Sequence, residues 1–196
     1  MAIITEPNLV FYAKALLALD NSTNPSVLSV ETSSDINQCT AIFKSLLPEG
    51  EKFDAKSAGR RVKKNDSRVI GGKKAMKIEA SLFASVYHYI CQGQFDYTEN
   101  CTIPTLITTY SRYLAFRESI KELESAEDIP FKDSKLSIND AFLITRSLRG
   151  LCDDGQSKIC TCKKCSSLFY VCAKDVYTHS DVCPFCDNKP IRKMRS

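Results

Sequence analysis

The sequence contains no apolar run that approaches the roughly 18 to 20 residues a membrane-spanning helix needs. Its first residues, Met1 to Pro7, also lack a basic region followed by a long apolar stretch, so they do not form a secretory signal. No nuclear-type basic cluster stands out either. We therefore expect a cytoplasmic, bacterial protein that does not associate with membranes.

Motifs for catalysis are missing as well. We find no Ser–His–Asp set, phosphate-binding loop or paired-carboxylate signature. The formal net charge of +4 over 196 residues is too small to indicate a partner by itself. A hydrophobic content of 43% and a charged content of 26% are typical of a globular protein with one large or two small domains. The prediction is a globular protein that is not an enzyme.

Cysteine is the residue present in excess. The chain has ten cysteines, and seven of them lie between Cys152 and Cys186. In a reducing compartment such a cluster favours metal binding over disulfides. The skew toward one end predicts a distinct C-terminal module.

Two C-x2-C pairs define the expected metal site. Cys162 and Cys165 form the first pair, and 17 residues separate it from the second, Cys183 and Cys186. Each pair places two thiolates on one side of a tight turn, and two such turns complete a tetrahedron around Zn²⁺. Four thiolates leave no open position, so one structural zinc is predicted, with an iron–sulfur cluster as the alternative. Residues 167–171 are β-prone, so the module resembles a zinc ribbon.

Other residues near the two pairs are not expected to bind the metal. Cys160 stands only one residue from Cys162, a spacing that fits a metal-binding turn poorly. Cys172 is predicted to be a small buried side chain, and His179 a surface residue or a neighbour of the site. The remaining cysteines are predicted to be small core residues: Cys39, Cys91, Cys101 and Cys152.

Helical periodicity dominates the rest of the chain, and no strand-like alternation appears before residue 150. Ser137 and Asp140 have the spacing of a capping box at the start of the last helix. Helices are predicted over residues 8–19, 25–31, 35–47, 75–92, 104–125 and 137–149. The fold class is therefore mainly α. A helical region (residues 1–150) with a helix-turn-helix-like unit precedes a small zinc-ribbon-like module (residues 151–196).

The two helices over residues 25–31 and 35–47 form the possible helix-turn-helix. Asn37 and Gln38 stand near the start of the second helix, where amides can bond adenine, and Lys44 can reach phosphate. Any two helices with a polar outer face give the same pattern, so this motif alone is weak. The predicted inner face of the second helix consists of Ile36, Cys39, Ile42, Phe43, Leu46 and Leu47.

A basic stretch follows, with Asp66 as the single acid between residues 55 and 78. Its excess of positive charge predicts a contact with DNA phosphates. A solvated loop, or a docking site for an acidic partner, would have the same composition. The residues predicted to touch phosphate are Lys56, Arg60, Arg61, Lys63, Lys64, Arg68, Lys73 and Lys74, together with Lys163 and Lys164 between the first two cysteines of the metal site.

Several of these stretches, in this order, resemble the FlhC family of flagellar master-regulator subunits and its relatives of the AcaC and SetC type on conjugative elements. The likeness covers roughly residues 8–186. Only the paired cysteines are specific by themselves. The stretches that carry it are Glu31-Thr32 with 42–46 (IFKSL), 81–87 (SLFASVY), 109–114 (TYSRYL), 141–146 (AFLITR) and the four cysteines.

The resemblance implies a transcription activator. In that family two copies of this subunit would join several copies of a small helical partner of the FlhD type, bind double-stranded promoter DNA and recruit RNA polymerase. It also implies that the four cysteines bind zinc. The first helix, apolar nearly all round, would pack in the core or against the partner.

Departures from the flagellar subunit favour the mobile-element branch, with conjugative-transfer genes as targets and flagellar genes as the alternative. The basic region is more extended, and Cys160 and Cys172 are additions. A different class of function also stays open, namely a zinc-ribbon module that binds protein or RNA. In that case Phe169, Tyr170 and Phe185 would stack on unpaired bases.

Overall fold

The computed structural model describes residues 6–48, 67–70, 73–91, 102–123, 134–152, 155–173 and 182–187. Helices precede a single two-stranded hairpin in this part of the chain, which confirms the mainly helical prediction. The helices are α1 (Glu6–Leu19), α2 (Pro25–Thr32), α3 (Ile36–Leu46), α4 (Ser67–Ile70), α5 (Lys74–Ile90), α6 (Ile103–Leu123) and α7 (Ile138–Leu148), and the strands are β1 (Lys158–Thr161) and β2 (Leu168–Val171).

Helix α2 has a sharp start and a sharp end. Asn24 caps it by accepting a hydrogen bond of 2.9 Å from the backbone N–H of Ser26, and Pro25 occupies the first helical position. Ser33 ends the helix in the left-handed region, with a φ of 54°. Few residues other than glycine adopt this conformation readily. It reverses the chain within three residues, and α3 begins at Ile36.

Helix α3 is held at its start by Asp35. This carboxylate accepts hydrogen bonds from the backbone N–H groups of Asn37 (2.8 Å) and Gln38 (3.0 Å), which would otherwise lack partners. The predicted inner face is confirmed at Cys39, Ile42 and Phe43, which are buried, whereas Leu46 and Leu47 are half-buried.

Ile36 was predicted on that inner face, and this prediction is wrong. Its side chain is 41% exposed. The residue has helical spacing with the apolar stripe, but it is the first residue of α3. The buried part of the stripe begins only at Cys39, nearly one turn further along.

Helix α1 contributes one face, not its whole surface, to the core. Leu9, Ala13 and Leu16 are buried against neighbouring helices, and α1 packs on α2, α3 and α6. Phe11 points outward and is 66% exposed. The prediction that α1 packs in the core is therefore confirmed for one face, and the aromatic ring of Phe11 lies at the surface on the other.

Helices α5 and α6 enclose a polar group that sequence periodicity did not predict. Glu79 is fully buried and forms a salt bridge of 2.8 Å with Arg117, while the Tyr113 hydroxyl also bonds its carboxylate. A buried carboxylate requires such partners. Tyr89 of α5, in contrast, is 75% exposed.

Helix α7 fastens the loop between α1 and α2. The predicted cap at Ser137 is confirmed, because its hydroxyl accepts a hydrogen bond from the Asp140 N–H at 3.1 Å. The same hydroxyl donates to the Asp140 carboxylate at 2.9 Å. The next backbone N–H, of Ile138, bonds the side chain of Asp20 at 3.0 Å. Asn139 accepts a hydrogen bond of 2.8 Å from the N–H of Asn24.

The other end of α7 is tied to the end of α2. Arg149 reaches both carboxylate oxygens of Glu31, at 3.1 and 3.0 Å, and Arg146 lies 3.6 Å from the same group. The Glu31 side chain is only 7% exposed, so this ion pair is shielded from solvent. The α2–α3 unit is thus held on α7 at two separate points.

Strands β1 and β2 form an antiparallel hairpin in which Cys160 lies opposite Phe169. The β-prone segment was predicted, but β1 was not. The hairpin rests on α5, where the Tyr170 N–H donates to the hydroxyl of Ser81 at 3.1 Å. Tyr170 and Cys172 join the same hydrophobic cluster as the helices.

None of the helices in the described ranges combines the length and apolar character required to cross a membrane.

Candidate metal centre

The structure brings the four predicted cysteines together. The Sγ atoms of Cys162, Cys165, Cys183 and Cys186 all lie within 4.8 Å of one another. The separation is 3.5 Å between Cys162 and Cys186 and 3.7 Å between Cys165 and Cys183. Four sulfurs placed about 2.3 Å from a shared ion in a tetrahedron would be about 3.8 Å apart. The donor set can therefore hold one metal ion, on a zinc-ribbon-like hairpin.

The two C-x2-C turns have the same backbone geometry. In the first, the N–H of Ser166 bonds the carbonyl of Cys162 at 2.9 Å, and in the second the N–H of Asp187 bonds the carbonyl of Cys183 at 2.9 Å. Ser166 and Asp187 both adopt positive φ, 59° and 55°. Each turn therefore ends in a left-handed residue, and the two cysteine sulfurs of that turn lie on the same side of it.

Hydrogen bonds from the backbone favour the thiolate form at the first turn. The N–H groups of Cys165 and Lys164 lower the pKa of the Cys162 thiol. At Cys165, the hydroxyl and then the N–H of Ser167 lower the thiol pKa to about 6. The thiolate is the form that binds metal, so these bonds prepare the turn for an ion.

Burial acts in the opposite direction at the second turn. Cys183 is fully buried, and desolvation raises the pKa of its thiol even though the N–H groups of Phe185 and Cys186 point at it. A cation beside this sulfur would remove that penalty by pairing with the thiolate.

The second turn is also fastened to α5 by two lysines. Lys77 is 9% exposed and donates to the carbonyl of Val182 at 2.6 Å. Lys74 forms a surface ion pair of 2.8 Å with Asp187. The start of α5 therefore supports the metal centre from outside the hairpin.

The remaining cysteines of the described chain lie apart from this group of four sulfurs. Cys160 is half-buried beside the small cluster of Cys162, Phe169 and Cys183. Cys172 is buried as expected. Cys39 and Cys91 are also buried, Cys152 is half-buried, and Cys101 and His179 lie outside the described residues.

The predicted DNA-binding residues of α3 lie on one exposed side of that helix. Asn37, Gln38 and Lys44 are exposed. Lys163 and Lys164 are exposed at the tip of the first C-x2-C turn. Lys73 is exposed just before α5, whereas Lys74 forms an ion pair with Asp187. Arg68 lies in α4. The other basic residues of the prediction lie outside the described residues: Lys56, Arg60, Arg61, Lys63 and Lys64.

The aromatic residues considered for RNA stacking are mostly unavailable. Phe169 and Tyr170 are fully buried, and only Phe185, at 39%, is exposed. Phe169 lies in the small cluster around the cysteines, and Tyr170 lies in the main core.

Comparison of the chain with protein-family models, with curated proteins and with solved structures gave no match.

Sequence analysis missed the residues that support the centre rather than bind the ion. Lys77 was one of many lysines in a basic stretch, and nothing in the sequence distinguishes its buried ammonium from exposed ones. Ser166 and Asp187 did carry a signal, because each directly follows the second cysteine of a pair. Asp is among the residue types that are enriched at positive φ, so Asp187 was the easier of the two to detect.

Proposed function

We propose that this chain is the DNA-binding subunit of a heteromeric transcriptional activator of the FlhDC kind, working in the cytoplasm with one structural zinc. The observation that carries the proposal is the α2–α3 unit. Eight residues of α2, a turn through left-handed Ser33 and the eleven residues of α3 have the dimensions of a helix-turn-helix.

The surface of α3 supports this reading. Its inner side is buried through Cys39, Ile42 and Phe43, so the opposite side is free to enter a major groove. That side presents amides at Asn37 and Gln38 in the first turn and a positive charge at Lys44 in the last. Asp35, the acid that precedes α3, accepts hydrogen bonds from the backbone of its own helix.

The way the unit is anchored also suits recognition. A reading helix must be held rigidly relative to the rest of the protein. Here α1 packs on α3, and the shielded Glu31–Arg149 ion pair fixes the end of α2. The exposed Lys163 and Lys164 on the metal turn would add phosphate contacts that do not depend on sequence.

Zinc is the ion that suits the centre best. Four thiolates form a closed tetrahedral set, which is typical of structural zinc. In an iron–sulfur cluster the four thiolates are divided among two or four irons, so some of the sulfurs lie further apart than around a single shared ion. Separations of 3.5 and 3.7 Å favour a single ion. Its chemistry would be to hold the two turns together.

A helical FlhD-type partner and RNA polymerase complete the proposal. The exposed Phe11 on α1 offers an apolar contact for the partner. We propose conjugative-transfer genes as targets, because of the extended basic stretch, and flagellar genes as the alternative. These assignments rest on the resemblance to the FlhC family.

The test measures metal content and binding of promoter duplexes on one purified sample, with and without a co-expressed FlhD-type subunit. We expect one zinc per chain. We also expect a preference for a promoter fragment over random duplex at physiological salt, enhanced by the partner. Replacing Asn37 and Gln38 together by alanine should remove the preference, whereas replacing Ser111 and Ser119 on the exposed side of α6 should not. A complex with zinc but no duplex preference would contradict the proposal.

A second function, binding of single-stranded RNA by the zinc ribbon, is supported by one observation. Phe185 is exposed on the second C-x2-C turn, where it can stack on an unpaired base. This function predicts a preference for single-stranded RNA over duplex DNA, and its loss in Phe185→Ala.

A further inference from the structure

Helix α5 contacts both halves of the metal centre with a single stripe of side chains. Lys74, Lys77 and Ser81 follow one another at steps of three and four residues, so they lie on the same face of the helix. The two lysines reach the second C-x2-C turn. Ser81 reaches strand β2 of the hairpin, whose two strands are connected by the first turn. One helix therefore holds two turns that 17 residues separate in the chain.

Lys77 makes the closest attachment to the second turn. Its side chain is buried, and its Nζ atom donates to the carbonyl oxygen of Val182 at 2.6 Å. Val182 immediately precedes Cys183, the fully buried cysteine of the second pair. Hydrogen bonds from a charged donor are roughly twice as strong as neutral ones. The ammonium group thus fixes the backbone directly before a cysteine of the metal centre.

Ser81 makes the corresponding attachment to the hairpin. Its hydroxyl donates to the carbonyl of Lys77 at 2.7 Å and accepts a hydrogen bond of 3.1 Å from the N–H of Tyr170. The two attachments are therefore joined to each other on α5. Lys74 adds an ion pair with Asp187 at the surface, where both side chains are more than half exposed and such pairs contribute little.

These attachments bear on metal affinity because ligands that are already in place lose little conformational freedom when they bind an ion. Two C-x2-C turns that moved independently would have to be ordered by the ion itself, which would weaken its binding. Groups that hold the ligands of a metal site without touching the ion typically change its affinity about 10- to 100-fold. Lys77 is placed to act in this way on the second turn.

We propose that Lys77 is a positioning residue of the metal centre, which raises the affinity for zinc by holding the backbone at Val182. The role of Lys77 rests on the proposed zinc and does not require DNA binding. Coupling of this kind is reciprocal. Zinc therefore stabilises the first turns of α5 by the same free energy by which Lys77 strengthens the binding of zinc.

The experiment uses the full-length chain and measures zinc affinity by competition with a chelator of known affinity. Lys77→Met keeps a long apolar side chain but removes the ammonium group. We expect it to weaken zinc binding about 10- to 100-fold. Cobalt(II) bound in place of zinc should still give the absorption spectrum of a tetrahedral four-thiolate site, because the substitution removes no ligand.

Unfolding with and without zinc separates positioning from a merely structural role. The apolar cluster at the turns is too small to fold alone, so we expect the Lys77–Val182 contact to be lost without the ion. Lys77→Met should then lower the free energy of unfolding of the zinc-loaded protein and leave that of the chelator-treated protein nearly unchanged. The difference should equal the loss of zinc affinity, about 1.4 kcal/mol for each tenfold.

Two neighbouring lysines provide matched controls. Lys73 is exposed at the cap position of α5 and makes no side-chain cap hydrogen bond. Lys73→Met should therefore change zinc affinity by less than about twofold. Lys74→Met removes the exposed ion pair with Asp187 and should have a smaller effect than Lys77→Met.

Amide exchange on the wild-type protein gives a test that needs no variant. Addition of zinc should slow exchange over residues 74–81, because the assembled second turn fastens this part of α5. Exchange there that does not respond to zinc would contradict the coupling.

The outcomes distinguish the role of Lys77 from the proposed zinc. A wild-type chain that binds no zinc overturns both. Zinc binding that is unchanged in Lys77→Met, or weakened equally by Lys73→Met or Lys74→Met, overturns the role of Lys77 alone. An equal loss of stability with and without zinc also overturns it and assigns Lys77 to the packing of α5.

Discussion

The helical body and the metal turns are stabilised by different means. The body buries one continuous cluster that runs from Leu9 in α1 to Cys172 after β2 and includes the rings of Tyr87, Phe83 and Phe142. The hydrophobic cluster at the turns consists of Cys162, Phe169 and Cys183, with a few half-buried neighbours. So small a cluster cannot stabilise a fold alone. Where the apolar core is this small, an ion bound by the four clustered cysteines would take its place.

The largest expected effect is the unfolding of the metal turns while the helical body stays folded. Cys162→Ser should abolish metal binding, because three thiolates no longer close the tetrahedron, and structural zinc commonly contributes on the order of 10 kcal/mol to folding. We expect loss of zinc by elemental analysis and rapid amide exchange at residues 158–171, with helical circular dichroism largely kept.

Cys160→Ser is the matched control for this substitution. Cys160 lies in β1, two residues before Cys162, is half-buried and is not one of the four clustered cysteines, so the variant should retain one zinc per chain. A Cys162→Ser protein that keeps both its metal and its protected hairpin would contradict the assignment.

The second effect is a loss of stability in the helical body rather than in the metal turns. Arg117→Leu should cost about 3–5 kcal/mol of unfolding free energy, because Glu79 would be left as a buried charge without its cation. Urea denaturation measures it. Arg112→Leu, an exposed position on the same helix, should change stability by less than about 0.5 kcal/mol. Equal costs at the two positions would show that the buried pair has no special role.

The third effect uses pH to weaken the body. Burial raises the pKa of Tyr110 and of Tyr113 above their ordinary value, and hydrogen bonding to Glu79 raises that of Tyr113 further. Both hydroxyls are therefore neutral in the folded protein when the unfolded chain has begun to ionise. Their contribution to stability is complete below about pH 10 and is lost above it, by about 1.4 kcal/mol per pH unit for each group.

Denaturation curves at a series of alkaline pH values measure this slope. Tyr110→Phe should reduce the slope, and Tyr89→Phe, at an exposed position, should not. An identical slope in wild type and Tyr110→Phe would assign the alkaline loss to other groups.

The smallest expected effect comes from removing the side chain that caps a helix, and it compares two such caps within the helical body. Asp35→Ala removes the carboxylate that accepts hydrogen bonds from the first turn of α3 and should cost about 1 kcal/mol. Ser137→Ala, the equivalent change at α7, should cost a similar amount. Under the proposed function, only Asp35→Ala should also weaken duplex binding, which a binding titration on both variants decides.

Local patterns in the sequence predicted the helices well. The predicted range 25–31 corresponds to Pro25–Thr32, and 137–149 corresponds to Ile138–Leu148, because caps and periodicity are properties of neighbouring residues. The cluster of four cysteines was predictable for the same reason. The strand β1 was missed, since a four-residue strand carries little pattern of its own.

Features that depend on distant partners were not predictable. Glu79 and Arg117 are 38 residues apart, and on each helix alone they look like surface residues. Ile36 and Tyr89 fit the apolar periodicity of their helices and yet are exposed. Periodicity predicts which side of a helix a residue lies on, but not whether another part of the protein covers that side. Lys77 donates to the carbonyl of Val182, which is 105 residues further along the chain.

The attachments of α7 have a consequence for the order in which the molecule is completed. Asp20 and Ile138, and likewise Glu31 and Arg149, are 118 positions apart in the chain. A ribosome releases the N-terminal helices long before α7 emerges, and contacts across so long a loop form late. The α2–α3 unit therefore acquires its final anchorage only after α7 has been synthesised. An mRNA truncated before α7 would yield that unit without the contacts that hold it in place.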